Sequence, residues 1–148
     1  MGDLMSVNSK VDTTKGLLEV PGLDVASQFA WKIRLLRIND KSLALASLSG
    51  WERNANDEYR KISKVMRIVG TSNLPPRRPH VGKSDKYDVY EMIGDNARLL
   101  FFYDKTARVV VCTNSYEKNS STDQGTAFGL CERLRQEYVK WPPQQRIP

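Results

Sequence analysis

Two short apolar runs in the second half of the chain constrain its fold more than any other feature. Arg98–Tyr103 (Arg-Leu-Leu-Phe-Phe-Tyr) and Arg108–Thr113 (Arg-Val-Val-Val-Cys-Thr) are separated only by Asp104–Ala107. Their composition is that of strands, and the connection has hairpin length. A third strand is predicted just upstream, where Tyr87–Ile93 alternates around Val89 and Ile93 before the turn residues Gly94-Asp95-Asn96. None of these runs approaches the length that spans a bilayer.

The first half carries different periods. Phe29, Trp31, Ile33 and Leu35 alternate with Lys32 and Arg34, which predicts a half-buried strand. Asn39-Asp40 is positioned to cap a short helix through Leu43, Ala44 and Leu48, with Gly50 to end it. Ala55, Tyr59, Ile62, Met66 and Val69 recur at helical spacing and predict a longer helix closed by Gly70. Thr71–Lys86 contains Pro75, Pro76 and Pro79 among basic side chains, so it reads as a loop, neither helix nor central strand. After the three strands, Ser121 and Gln124 fit a capping box. Ala127, Cys131, Leu134, Tyr138 and Trp141 then form a helical stripe that Pro142-Pro143 stops. The expected architecture is α+β: about four strands in an antiparallel or mixed sheet, two N-terminal helices and one C-terminal helix, in the order β-α-α-β-β-β-α. Residues 1–28 read as an extension, partly ordered around Leu17–Val20, 29–141 as one domain and 142–148 as a tail.

Charge points toward a partner. The net charge is +6, and Arg53–Lys86 alone holds nine Lys/Arg against Asp57, Glu58 and Asp85. A polyanion, nucleic acid or an acidic protein face, suits such a segment, and so does a merely solvated helix face and loop. Residues 1–28 are acidic by contrast, and charge alone suggests that they cover the basic surface in cis. Cys112 and Cys131 lie in apolar surroundings and are expected to be buried free thiols. One histidine and no C-x-x-C leave too few ligands for zinc, and no metal or cofactor is expected. Gly82-Lys83-Ser84 resembles the end of a phosphate-binding loop, but Arg77 stands where its first glycine belongs, which excludes a nucleotide cofactor of that type. Met1–Ser6 fits a loose myristoylation pattern with no polybasic stretch after it. With no secretory signal and no spanning segment, a cytoplasmic protein without a membrane role is expected.

The order of elements and several residues resemble the RelE/ParE toxin superfamily, most closely its phage-derived HigB-like branch. The residues that carry the resemblance are Tyr90-Glu91, then Arg98-Leu99-Leu100-Phe101-Phe102-Tyr103, then Val109-Val110-Val111, then Glu117-Lys118, and finally the helix finish Glu132–Tyr138. It covers Tyr87–Tyr138 by residues and Ala30–Gly70 by pattern. The resemblance implies a toxin held by an antitoxin protein and acting on mRNA, often on the ribosome. Cleavage would use the RNA 2′-hydroxyl without a metal.

It also implies the site. Arg98 would contact phosphate and stabilise transition-state charge, and Lys118 would contact phosphate. Residue chemistry adds His80, Tyr116 and Tyr103 as candidates for proton transfer. The charge of the basic segment adds Arg60, Lys61, Lys64, Arg67, Arg77, Arg78 and Lys83 as RNA contacts. Residue chemistry alone leaves open that Arg98 is a sheet-edge cation paired with Glu91. Glu117 and Ser121 replace lysines usual in the family loop, and Met92 and Ile93 occupy the stretch where an arginine often follows the Tyr-Glu pair. This depletion sustains a second reading: a catalytically weak or inactive relative that binds a protein such as gyrase or an antitoxin.

Overall fold

The computed structural model describes residues 11–23 and 28–147. The Met1–Ser6 pattern lies outside them, as do Asp3, Lys10 and Asp24 of the acidic extension. The described residues form an α+β fold with three α-helices and one mixed six-stranded sheet. Its elements are β1 (Gly16–Glu19), β2 (Lys32–Arg37), α1 (Leu43–Asn54), α2 (Asn56–Thr71), β3 (Val81–Lys83), β4 (Tyr90–Gly94), β5 (Ala97–Asp104), β6 (Val109–Glu117) and α3 (Gln124–Val139), with a 3₁₀ turn at Pro143–Arg146. The strand order is β1-β2-β6-β5-β4-β3. Only β2 and β6 run parallel; the other neighbours are antiparallel.

Six strands replace the expected four, and both additions are edges. Leu17 and Leu18 of β1 pair with Leu36 and Leu35 of β2, so the sheet begins inside the stretch read as an extension. Gln145 ties this edge to the far end of the chain. Its amide nitrogen donates to the Asp12 and Lys15 carbonyls at 2.8 Å each, and its oxygen accepts from the Asp12 N–H at 2.7 Å. At the opposite edge, Val81 and Gly82 are buried and β3 pairs with β4 just after Pro79. A proline-rich loop excludes a central strand but permits a short edge strand.

The sheet is covered on both sides. Ile33, Leu35, Leu99, Phe101, Val110 and Cys112 face α1 and α2, while Leu100, Phe102, Val109 and Val111 face α3. Two-sided burial explains why β5 and β6 are apolar at consecutive positions. Cys112 and Cys131 are buried and free, and burial raises both thiols, Cys131 to about 12.

Helix ends moved by a few residues, for local reasons. Ser42 rather than Asn39-Asp40 caps α1, its hydroxyl accepting from the Leu45 N–H at 3.1 Å. Asn39 and Asp40 instead take positive φ (54° and 63°) in the turn before it, which their short polar side chains tolerate. The helix passes Gly50 to Asn54 because Trp51 is buried on its inner face. Gly70 lies within the last turn of α2: a Cβ there would meet the Phe29 ring at 2.5 Å, and the Gly70 carbonyl accepts from the Ala30 and Trp31 N–H groups. Asp123 rather than Ser121 caps α3, accepting from the Thr126 N–H at 2.6 Å, which holds its carboxyl below the usual range.

At Gly94 the sheet comes close to α2. A Cβ there would lie 2.8 Å from Ile62 Cγ1 and 3.0 Å from the Ile62 backbone nitrogen, which cannot rotate aside. Gly94→Ala is expected to cost about 1–3 kcal/mol by overpacking, read as a lower denaturation midpoint. An unchanged midpoint would contradict this packing.

Candidate functional site

On the α3 side, the helix leaves one end of the sheet uncovered. A cavity of about 420 Å³ opens there, between the β4–β6 surface, the loop after β6 and the first residue of α3. Its cations are Arg78, Arg98 and Lys118, and its floor includes Glu91, Tyr116 and Gln124.

The strand register brings these groups together. Arg98 pairs with Tyr116 across β5–β6 and with Ile93 across β4–β5, and Glu91 pairs with Gly82 across β3–β4. The decisive irregularity is in β6. Leu99 pairs with Ser115 but Phe101 pairs with Cys112, so β6 holds one extra residue. Thr113 and Asn114 both bond on the α3 side, to Cys131 Sγ and the Ala127 carbonyl. Cys112 faces α1–α2, and simple alternation would send Tyr116 there too. The bulge turns Tyr116 to the opposite face, beside Arg98, a re-aiming for which such bulges are used.

Glu91 is the buried centre, 1% exposed. Tyr116 Oη donates to its Oε1 at 2.7 Å and Gln124 Nε2 donates to its Oε2 at 2.9 Å. Arg98 Nε lies 3.9 Å from Oε2. Hydrogen bonds and a nearby cation are what a buried carboxylate needs. Gly82 makes room: a Cβ there would lie 3.0 Å from Glu91 Oε2 and 3.2 Å from Arg78 Nη2. Arg98 is 7% exposed, and its Nη1 donates to the carbonyls of Asp95 and Ala97. Lys118 is exposed, its backbone N–H fixed to the Asn96 carbonyl at 2.8 Å. Burial, and then the bond to Glu91, push the Tyr116 phenol well above its usual range.

Among the residues expected from sequence, Arg98, Lys118, Tyr116 and Arg78 line this one cavity. His80 does not; it precedes β3, and its carbonyl accepts from the Ile93 N–H at 2.9 Å. Arg77 and Lys83 line a neighbouring recess. Arg60, Lys61, Lys64 and Arg67 are exposed on α2, across the sheet from Arg98. There Arg60 pairs with Asp57 at 2.6 Å and Lys61 with Asp95 at 2.7 Å. The set expected to act together is thus divided between two faces. Tyr103 belongs to an aromatic cluster on the α1–α2 side, 4.7 Å from Trp31 and 5.3 Å from Tyr90 between ring centroids.

Sequence reasoning missed Glu91 and Gln124 as site residues. The signal was present for Glu91: it occupies the same alternating row as Val89 and Ile93, an acid among apolar positions. Gln124 carried no such mark. The acidic extension also runs elsewhere. Asp12 and Glu19 lie with β1 at the opposite edge of the sheet, and Lys15 pairs with Glu137 at 3.5 Å. Among the described residues, no group of three or more His, Cys, Asp or Glu is arranged to hold a metal ion, and no helix is long and apolar enough to cross a membrane. No protein-family model matches the chain, and no curated protein sequence matches it significantly.

The Tyr116 phenol, raised by burial and then by its bond to Glu91, has a pH signature. A phenol whose folded pKa exceeds its unfolded value of about 10 keeps its proton when the unfolded chain has lost it, so stability falls as pH rises above about 10. Tyr103 and Tyr138 are raised in the same direction, by burial first. Tyr116→Phe is expected to lose about 1–3 kcal/mol near neutrality, because Glu91 Oε1 loses its donor. The variant's further decline above about pH 10 should be shallower than that of the wild type. Denaturant unfolding across that range checks both, and parallel pH curves would refute a raised Tyr116 phenol.

Proposed function

We propose that the protein is a toxin of RelE/HigB type: an endoribonuclease that cuts mRNA, free or on the ribosome, and is neutralised by an antitoxin protein. The observation that carries this reading is the cavity, where Arg78, Arg98 and Lys118 converge beside the buried Glu91–Tyr116 pair. The order β2-α1-α2-β4-β5-β6-α3 also agrees with the resemblance, with β1 and β3 as edge additions. Arg78 enters from the proline-rich loop and restores a cation to a site where Glu117 and Ser121 stand in place of lysines.

Cleavage in such a site needs little from the protein beyond position and charge. The ribose 2′-oxygen attacks the adjacent phosphorus, the bond to the 5′-oxygen breaks, and a 2′,3′-cyclic phosphate and a 5′-hydroxyl result. One proton leaves the 2′-oxygen and one reaches the 5′-oxygen. Glu91 accepts two hydrogen bonds and Tyr116 donates one of them, so neither is a free base. Catalysis rests instead on holding the strand in line and stabilising charge on the phosphoryl oxygens, with water carrying protons. A slow nuclease is expected from the isolated protein, with higher rates where the ribosome orients the strand.

A second reading has its own observation. Arg98 is almost wholly buried and spends Nη1 on two carbonyls, as a structural cation would. A relative that kept the fold for binding a protein, such as an antitoxin or gyrase, would retain it for that reason.

Cleavage of mRNA by the purified protein, with and without ribosomes and in EDTA, separates the readings. Under the nuclease reading, Arg98→Ala lowers the rate about 10²–10³-fold. Lys118→Ala, which removes only an exposed side chain, lowers it about tenfold by loss of one phosphate contact. Absence of cleavage in both settings would leave the binding role alone.

A further inference from the structure

The loop that carries Arg78 to the cavity also lines a recess at the β3 edge, of about 500 Å³. Its apolar lining comes from Leu74, Pro75, Pro76 and the Tyr90 ring, and its charge from Arg77, Arg78 and Lys83; no carboxylate lines it. Leu74 is 78% exposed, the most exposed large apolar side chain among the described residues. Tyr90 is fixed by stacking on Phe101, with centroids 5.4 Å apart and planes 20° apart. Lys83 is its cross-strand partner. The ammonium lies 5.6 Å from the Tyr90 centroid and donates to the carbonyls of Ser84 and Tyr87.

An apolar recess with an aromatic edge and three cations, whose nearby Asp88 carboxylate is turned to the Tyr90 hydroxyl at 3.4 Å and does not line it, suits a planar group attached to phosphate. Arg78 lines both this recess and the cavity that holds Arg98. Its Nη2 lies 3.2 Å from the position a Gly82 Cβ would take, on the strand between them. We propose that the recess is a second subsite for the same single-stranded RNA. It takes a nucleotide beyond the scissile phosphate, its base against Leu74–Pro76 and Tyr90, its phosphate on Arg77 and Lys83, with Arg78 bridging to the cavity. This rests on the reading of the cavity as a ribonuclease site. An acidic peptide adding to the β3 edge is the competing occupant, and the geometry favours it less. The open edge is only Val81–Lys83 long, and the Val81 N–H already bonds to the Arg77 carbonyl.

The test is fluorescence anisotropy with labelled 2′-deoxy single strands of three and ten nucleotides, which lack the attacking hydroxyl. Wild type should bind the longer strand more tightly, and Leu74→Glu should weaken that binding about tenfold while leaving the three-nucleotide strand unaffected. Lys83→Ala should lower the salt slope for the longer strand by about 0.7, the value for one phosphate contact on a single strand. Lys140→Gln, which removes one exposed charge at the far end of α3 and so changes the net charge as much as Leu74→Glu does, controls for net charge. Unchanged thermal unfolding establishes that the variants fold.

Equal effects of Leu74→Glu and Lys140→Gln, or equal wild-type affinity for both lengths, would overturn the subsite and leave the cavity reading standing. If wild type binds neither strand, the cavity reading falls and the subsite with it. If a Leu- and Glu-rich peptide binds in a Leu74→Glu-sensitive manner while the longer strand does not, the recess belongs to a protein partner and the proposal is wrong.

Discussion

The parallel pairing of β2 with β6 is the constraint on which the rest of the structure depends. Parallel neighbours cannot be joined by a tight turn, so the chain between them must leave the sheet and return. It does so through α1 and α2, which cross one face, and then through β3, β4 and β5, which extend the sheet away from β2. The second face is left for α3. Strands β5 and β6 therefore sit in the middle, covered on both sides, and their apolar runs are the sequence's record of that position. Beside the remaining edge, Gln145 makes three hydrogen bonds with Asp12 and Lys15.

This arrangement also determines where chemistry can occur. The α1–α2 face is packed with aromatic and branched side chains, whereas α3 begins only at Gln124 and leaves the β4–β6 end open. A polar cluster can form there because its members come from different elements and satisfy one another. Glu91 is buried, Tyr116 and Gln124 donate to it, and Arg98 lies beside it. The bulge at Thr113–Asn114 is as necessary as any of these residues. Without the extra position, Tyr116 would point into the α1–α2 core and Glu91 would lose a donor.

Much of the fold was legible because long periodic segments announce themselves. The α2 stripe, the hairpin of β5 and β6 and the stripe of α3 follow directly from spacing. Elements held by distant partners were not legible. Leu17–Val20 marked some order within the extension, but its strand forms through pairing with β2, next to the bonds of Gln145 to Asp12 and Lys15. Val81–Lys83 is too short to register after Pro79. In the site, Arg98, Tyr116 and Lys118 were accessible from residue type and resemblance. The separation of Arg60, Lys61, Lys64 and Arg67 was not, because composition groups charges along the chain while the sheet divides them. A one-residue bulge leaves no trace in composition at all.

Arg98 focuses the question of activity. Its burial and its bonds to two carbonyls read as structural, yet a group that stabilises a transition state must also be fixed before substrate arrives. A guanidinium has five donors in a rigid fork, and anchoring Nη1 to the β4–β5 turn leaves other donors with fixed direction. Glu91 contributes to the same end, since its carboxylate sets the Nε side of Arg98 and the Tyr116 hydroxyl at once. The features that make the cluster stable are thus the ones that would make it preorganised. What distinguishes the two roles is whether a phosphate has cations to bind besides Arg98, and Arg78 and Lys118, both exposed and both lining the cavity, are those cations.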